Sequence, residues 1–386
     1  MIDVVIIGGG PAGLLAARRL AEAGCDVIVL EEHRHIGRPT HCTGIVSAEM
    51  TKLVKIPADI ILSRLQHARL VGPDREACDI TWAADGEEIL TIDRAAFDET
   101  LAAQAVAAGA ILRLGAFVDG LASTAKAVTV RVGRESIVAH ACLLACGASY
   151  RFQRQLGLGL PGRLLHTAQI EVDAEPTERV ELHVGRHVAP EGFIWMVPVL
   201  RDGRPRLKVG LVAKRDAAKY LRHFTERPEI ARQLRETPPT PTTRLLPLKL
   251  TATSYAARVV VAGDAGGFTK PTTGGGIYYS LLTAALAADV LIDALHAGRL
   301  DAQFLSVYET RWQERLGHEL RVGDWFRDLL VKLPDRDVGT LIRALATDDV
   351  QSMIQQTARF NWHRDLILSL LRQRGIASLL FRSLFR

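Results

Sequence analysis

Cysteine is sparse in this sequence and offers no pairing pattern. The five residues, Cys25, Cys42, Cys78, Cys142 and Cys146, are odd in number and scattered, and none forms a C-x-x-C pair. That excludes a disulfide framework and a structural zinc site, and fits a reducing compartment. Cys142 and Cys146 lie in the apolar run Ala141-Cys142-Leu143-Leu144-Ala145-Cys146, where thiols pack as small hydrophobes. An excess of one charge is also lacking: 48 Lys and Arg face 43 Asp and Glu, a net charge of +5. No basic block follows the pattern that tracks a phosphate backbone, so nucleic acid is not an expected partner. No run of about 18 or more apolar residues is free of charge, so no transmembrane helix is expected. The start of the chain carries neither a basic n-region nor a small-residue cleavage site. The expected location is cytoplasmic, with any membrane contact peripheral. Internal repeats and low-complexity tracts are missing too.

What remains is an enzyme-sized globule. The 386 residues are 48% apolar and 24% charged, enough for about two or three domains and a buried cofactor. The opening reads strand, glycine turn, helix, strand: Val4 to Ile7, then Leu14 to Ala23, then Cys25 to Leu30 ending at Glu31 and Glu32. Strand-like pieces run to about Ile92, and Asp93 starts a helix from Ala95 to Ala108. Short strands follow from Ile111 to Ala145, and a second sheet is expected from His166 to Val172, Val180 to Val184, Phe193 to Leu200 and Arg206 to Val212. Helices are expected over Asp216 to Glu226 and Pro228 to Glu236, before the extended Thr237-Pro238-Pro239-Thr240-Pro241. A buried strand, Arg258 to Ala262, leads through Gly263-Asp264 to a long small-residue helix from about Gly275 to His296, and the rest is helical.

The chemistry begins at Gly8-x-Gly10-x-x-Gly13, which follows a strand and opens a helix. The first glycine permits the tight turn, the second lets the backbone approach a pyrophosphate, and the third lets helix and strand pack closely. The free N–H groups of the helix then hold the phosphates. Glu31, at the end of the second strand, suits the ribose hydroxyls of an adenosine. This pattern alone does not separate NAD from FAD. The buried strand ending in Gly263-Asp264 does, because a carboxylate there suits a ribityl chain; the same Asp264 could serve as an ordinary helix N-cap.

Three stretches carry a resemblance: the glycine turn, Asp93-Arg94-Ala95-Ala96-Phe97-Asp98, and Gly263-Asp264-Ala265 continuing to Pro271-Thr272-Thr273-Gly274-Gly275-Gly276-Ile277-Tyr278-Tyr279. Over about residues 3 to 300 the chain resembles the aromatic-hydroxylase-like flavoproteins with two dinucleotide-binding motifs, and among them most closely the geranylgeranyl reductase family. The resemblance implies an α/β fold: a Rossmann-like FAD-binding domain, an inserted antiparallel-sheet substrate domain and a C-terminal helical region. Residues 1–60, 93–162 and 256–300 would form the FAD domain, 61–92 and 163–255 the substrate domain, and 301–386 the helical region.

By position, the resemblance implies that Gly8, Gly10, Ala12, Gly13 and Glu31 hold the adenosine diphosphate, with Val118 at the adenine. Arg38, Cys42, Thr43 and Arg94 would line the cofactor. Asp264, Pro271, Gly274, Gly275, Gly276 and Ile277 would meet the ribityl chain and ring. Backbone N–H groups at the start of the Gly275 helix would face the flavin pyrimidine edge and stabilise the charge of reduced flavin. Arg38-Pro39-Thr40-His41-Cys42-Thr43-Gly44 resembles the family's cysteine-bearing loop, where a thiol would help deliver the proton that alkene reduction needs. A small residue fitting a tight loop is the plainer reading of Cys42, and His41 is an alternative donor. Phe193-Ile194-Trp195-Met196-Val197-Pro198 resembles the family's aromatic strand over the substrate channel, so Trp195 either lines the substrate pocket or packs in a core.

Departures are visible. Phe193, Val197 and Lys208 stand where the family has tyrosine, phenylalanine and often asparagine, and Cys146 stands where the aromatic hydroxylases carry an Asp-Gly dipeptide. No second glycine-rich βαβ unit appears for a resident nicotinamide cofactor. The expected activity is therefore FAD-dependent saturation of C=C bonds in an isoprenoid or other lipid-like substrate, fed by an external donor (NADPH, ferredoxin or reduced flavin). The alternatives are a flavin monooxygenase or halogenase of the same fold, and a non-catalytic prenyl-binding escort. The tail, with Trp362, Leu366, Ile367, Leu370, Leu371, Ile376, Leu379, Leu380 and Leu384 between arginines, suits an amphipathic helix pair that lies on an anionic bilayer or packs on the enzyme or a dimer partner.

Overall fold

A computed structural model describes residues 1–81 and 87–382. The strand Ile2–Ile7 is central to an eight-stranded sheet, flanked in parallel register by Val27–Leu30 and Glu135–Leu144. Its consecutive apolar residues are buried on both faces. Val4 and Ile6 pack toward the helices Pro11–Glu22 and Ile277–His296, while Val5 and Ile7 pack toward Val128, Val130 and Val261. A run without polar alternation is what a strand covered on both sides requires. Cys142 pairs with Val5 in this core and is fully buried.

The helix Arg94–Ala107 is capped by Asp93, whose Oδ1 accepts from Ala95 N at 3.0 Å and Ala96 N at 3.2 Å. The second, seven-stranded sheet runs Thr242–Pro247, Leu164–Asp173, Arg204–Ala213, Phe193–Arg201, Val180–Val184, His67–Val71 and Ala77–Thr81, antiparallel except where Val180–Val184 meets His67–Val71. The strand Thr242–Pro247 was not expected. Nor does the helix that starts at Pro228 reach Glu236. It ends at Ala231, because Leu234 bridges to Ala174 and Arg235 N donates to Asp173 O at 2.9 Å. The open edge of the sheet takes those backbone groups instead. A small third sheet is formed by Ile45–Ser47, Ile89–Ile92 and Ile61–Leu65.

The helix Ile277–His296 is long and apolar enough to cross a membrane by length and composition, yet most of it is buried inside the molecule. It is the core helix under the first sheet. From Ala302 to Arg382 the described chain is a series of helices. The apolar face of the tail turns inward: Ile367, Leu370, Ile376 and Leu380 are buried against Leu329 of the helix His318–Lys332 and Leu333 just past its end. Of the readings the sequence leaves open for the tail, packing on the enzyme itself describes these four residues. Leu384 and Arg386 lie outside the described residues.

Candidate active site

The three glycines of the first turn have three different surroundings. A Cβ on Gly8, whose φ is +111°, would fall 2.3 Å from Ala145 O, and one on Gly13 would fall 2.0 Å from Gly8 O. Side chains are excluded there by close packing of strand and helix. At Gly10 nothing lies within 4 Å of the same position, and Gly10 and Ala12 line a large cavity. The gap sits over the N-terminus of the helix Pro11–Glu22, where a pyrophosphate would be held by free N–H groups. Gly13 itself is not on the cavity wall. Glu31 braces the turn: Oε2 accepts from Gly9 N at 2.7 Å and Oε1 from His33 N at 2.9 Å. Val118 is buried on the same wall, and its carbonyl accepts from Arg151 Nη1 at 3.2 Å. Arg151 in turn stacks on Phe117, 4.8 Å from the ring centroid. Arg38 is exposed at the rim of the cavity.

The loop from Gly37 to Gly44 returns along the cavity to Cys42. Both end glycines have positive φ, and side chains there would strike Ala95 and Ile92 O, so the loop is fixed against the helix Arg94–Ala107. Cys42 faces Arg94, which is clamped by Asp98 at 2.9 and 3.0 Å. Thr43 donates through Oγ1 to Gln169 Oε1 at 2.7 Å, and its carbonyl accepts from Lys208 Nζ at 2.8 Å. Lys208, 2% exposed, is thus buried beneath the cysteine loop, and burial lowers its pKa to about 8. His41 lies at the rim. Desolvation, with the charges of Arg94 and Arg244 added, holds its imidazole below the ordinary pKa despite a bond to Pro39 O.

Across the cavity, Asp264 sits in the turn Gly263–Gly266, half-buried, and its side chain does not cap a helix. Its own carbonyl accepts from Tyr150 Oη at 2.8 Å, but among the described residues nothing donates to its carboxylate. Burial raises its pKa to about 6, opposed by the charge of Arg94. Gly274, Gly275, Gly276 and Ile277 line the cavity at the N-terminus of the helix Ile277–His296. Pro271 does not. It is buried against Gly323, and its carbonyl accepts from Arg327 Nη1 at 3.2 Å. Cys146 packs against the edge of the core, as expected, and also lines the cavity, with Sγ 3.3 Å from Ser149 O.

Trp195 lines the cavity from the second sheet. Its indole Nε1 is buried and has no partner among the described residues, a state that costs about 1–3 kcal/mol until something accepts from it. The same cavity, about 1430 Å³ in all, also takes Leu330, Leu341, Leu345, Leu366, Leu370 and Ile376 of the C-terminal helices into its walls. Lys270, Arg327 and His363 also line it. Sequence reasoning missed all three, because each is brought in by packing between the C-terminal helices and the Pro271 loop. No local pattern marks them: Lys270 stands between Thr269 and Pro271, and His363 between Trp362 and Arg364.

The residues present fit FAD. The gap at Gly10 accepts a pyrophosphate, and the unpartnered carboxylate of Asp264 accepts from ribityl hydroxyls. With the helix N-terminus at Gly276, these features define an FAD-dependent oxidoreductase. Residues 1–317 match the FAD binding domain family. The chain is 30% identical over 380 residues to digeranylgeranylglycerophospholipid reductase 2 of Methanothermobacter thermautotrophicus, covering 91% of this chain and 93% of that protein. It is 27% identical over 375 residues to digeranylgeranylglycerophospholipid reductase of Methanothrix thermoacetophila, with coverage of 91% and 93%. The chain belongs to the FAD binding domain family and, within it, to the geranylgeranyl reductase type. The fold is shared with a geranylgeranyl bacteriochlorophyll reductase-like protein of Thermoplasma acidophilum (TM-score 0.84, 21% identity, 99% of each chain). It is shared less closely with halogenase PltM solved with phloroglucinol and FAD (TM-score 0.69, 15% identity, 99% of this chain and 94% of that one).

Proposed function

We propose that this enzyme saturates C=C bonds of a long isoprenoid chain carried by a lipid, the substrate class in the names of its archaeal relatives. The observation that carries the reading is the continuity of the cavity, from Gly274–Gly276 past Trp195 to Leu366, Leu370 and Ile376. An apolar tunnel selects a chain by length and girth more than by hydrogen bonds. Bound FAD, once reduced, supplies the hydride. The chain's own residues do the rest. Cys42, held beside Arg94 by the clamped loop, delivers the proton to the alkene carbon or orients the water that does. Trp195 forms the wall against which the double bond lies. The reducing equivalents come from an external donor, either NADPH, ferredoxin or reduced flavin.

A lipid substrate has to leave a bilayer, and the same helices offer a surface for it. Trp325, Leu368 and Phe381 are 39%, 41% and 41% exposed, with exposed Arg321, Arg364, Arg372, Arg374 and Arg382 around them. This face would rest peripherally on an anionic membrane. The test of function is anaerobic stopped-flow absorbance: photoreduced enzyme should be reoxidised by a geranylgeranyl lipid without oxygen, with product mass raised by two hydrogens per bond. Reoxidation only with oxygen, and a product heavier by oxygen or halogen, would replace this reading with the monooxygenase or halogenase one.

A further inference from the structure

Lys270 stands just before Pro271 in the loop that leads to the glycine turn. It is 4% exposed, yet lines the cavity. Its Nζ donates to Phe360 O at 2.7 Å, lies 3.5 Å from Asn361 Oδ1, and sits 3.9 Å from the centroid of the Phe360 ring. The described residues give this ammonium no ion pair. The three carboxylates near enough to act on it through space are Glu87, Glu319 and Glu49, and each is occupied by the segment that covers the lysine. Glu87 Oε2 accepts from Phe360 N at 3.0 Å, and Glu319 accepts from the N–H groups of His363 and Arg364. Glu49 Oε2 accepts from Asn361 Nδ2 at 3.1 Å and Trp362 Nε1 at 2.8 Å. Residues 360–364 therefore form a strap, tied down by acids, that presses a carbonyl and an aromatic face on one buried cation.

The strap fixes where that charge sits. Lys270 N donates to Gly275 O at 3.1 Å and Gly274 N donates to Lys270 O at 2.8 Å, folding the loop back on itself. A Cβ on Gly275 would fall 2.6 Å from Lys270 Cε and 3.1 Å from Nζ. The ammonium is thus packed against the Gly275 backbone, at the positive end of the helix Ile277–His296. A buried cation without a carboxylate destabilises a fold unless something else uses its charge.

We propose that Lys270 is a positioning residue of the flavin site: held by the Phe360–Arg364 strap, it adds positive charge to the helix N-terminus and thereby favours reduced, anionic flavin over oxidised flavin. Burial brings its pKa to about 7, so its charge responds to an anion arriving nearby. The part of the chain that presents it lies beyond residues 1–317, the extent of the family match.

The discriminating variant is Lys270→Gln, which keeps a donor for Phe360 O and removes the charge. FAD content and melting are measured first, then the midpoint potential of bound flavin by dye equilibration, alongside wild type and Lys270→Arg. The expected result is that Lys270→Gln retains FAD while its preference for reduced over oxidised flavin drops about tenfold. That is about 30 mV more negative for a two-electron couple. Lys270→Arg restores it. A Lys270→Gln protein that melts lower but keeps the wild-type potential would reduce the lysine to a strap anchor and overturn the proposal. If the Gln variant does not fold, Lys270→Met, which removes the same charge and keeps an apolar side chain in the buried site, takes its place: a more negative potential supports the proposal and an unchanged one overturns it.

Discussion

The indole of Trp195 lies on the backbone of Gly210, its partner on the neighbouring strand: a Cβ at Gly210 would fall 2.1 Å from Cζ2 and 2.2 Å from Cε2 of the ring. The ring can occupy that place on the cavity wall only because position 210 has no side chain. Gly210→Ala should push the indole into the cavity at a cost of about 1–3 kcal/mol. We expect normal FAD content, a lowered melting temperature and a steep loss of turnover on long substrates. Wild-type turnover in this variant would remove Trp195 from the substrate wall.

Gly10 and Gly13 make a matched pair. Gly13→Ala meets Gly8 O at 2.0 Å and should destabilise the fold itself. Gly10, at φ −83°, has open space at the same point. Gly10→Ala should therefore melt like wild type as apoprotein and bind FAD poorly, because its methyl fills the phosphate gap. Equal FAD affinity in Gly10→Ala, by titration of flavin fluorescence, would move the pyrophosphate elsewhere.

The carboxyl of Asp264 gives a pH signature. Its pKa is about 6 in the folded chain against an ordinary 3.8, so between those values the folded apoprotein keeps a proton that the unfolded chain has released. Apoprotein stability should therefore fall as pH rises from about 4 to about 6 and level off above. Asp264→Asn should flatten that slope. Hydroxyl donors favour the ionised form, so FAD affinity should weaken as pH falls below about 6, and Asp264→Ala should release the flavin. Melting curves of apoprotein against pH, with and without FAD, check both directions.

Two cysteines separate chemistry from packing. Cys42→Ser should bind FAD and melt within a few degrees of wild type, yet lose about tenfold or more in single-turnover alkene reduction. Cys142→Ser buries a hydroxyl in the central strand at a cost of about 1–3 kcal/mol and should melt lower. Unchanged activity in Cys42→Ser would leave that thiol a loop-packing role only.

How much of this was legible in the sequence depended on distance along the chain. The first turn could be read almost completely, because strand, glycines, helix and Glu31 are neighbours in sequence and each glycine has a local steric reason. Asp93 and the helix it caps were equally plain. The small end of the second sheet was not: Thr242–Pro247 reads as a proline-flanked loop until Leu164–Asp173 supplies its partner. Pro271 was placed on the cofactor and lies behind it, since nothing local reveals that Gly323 and Arg327 pack on that side. The apolar run of Cys146 reveals its packing at the edge of the core but not that the strand ends at Leu144 and the next residues also open onto the cavity. Lys270 and His363 depend on a contact between distant segments that no period or spacing announces.

The walls of the cavity include Gly8 to Ala12 and also Leu366, Leu370 and Ile376. A ribosome makes the first of these long before the last. The phosphate turn can fold early, but the chamber has no far wall, and Lys270 no lid, until the final helices emerge. A nascent chain that stalls short of the strap therefore carries every flavin-facing residue up to Ile277 but lacks the wall that Leu366, Leu370 and Ile376 supply.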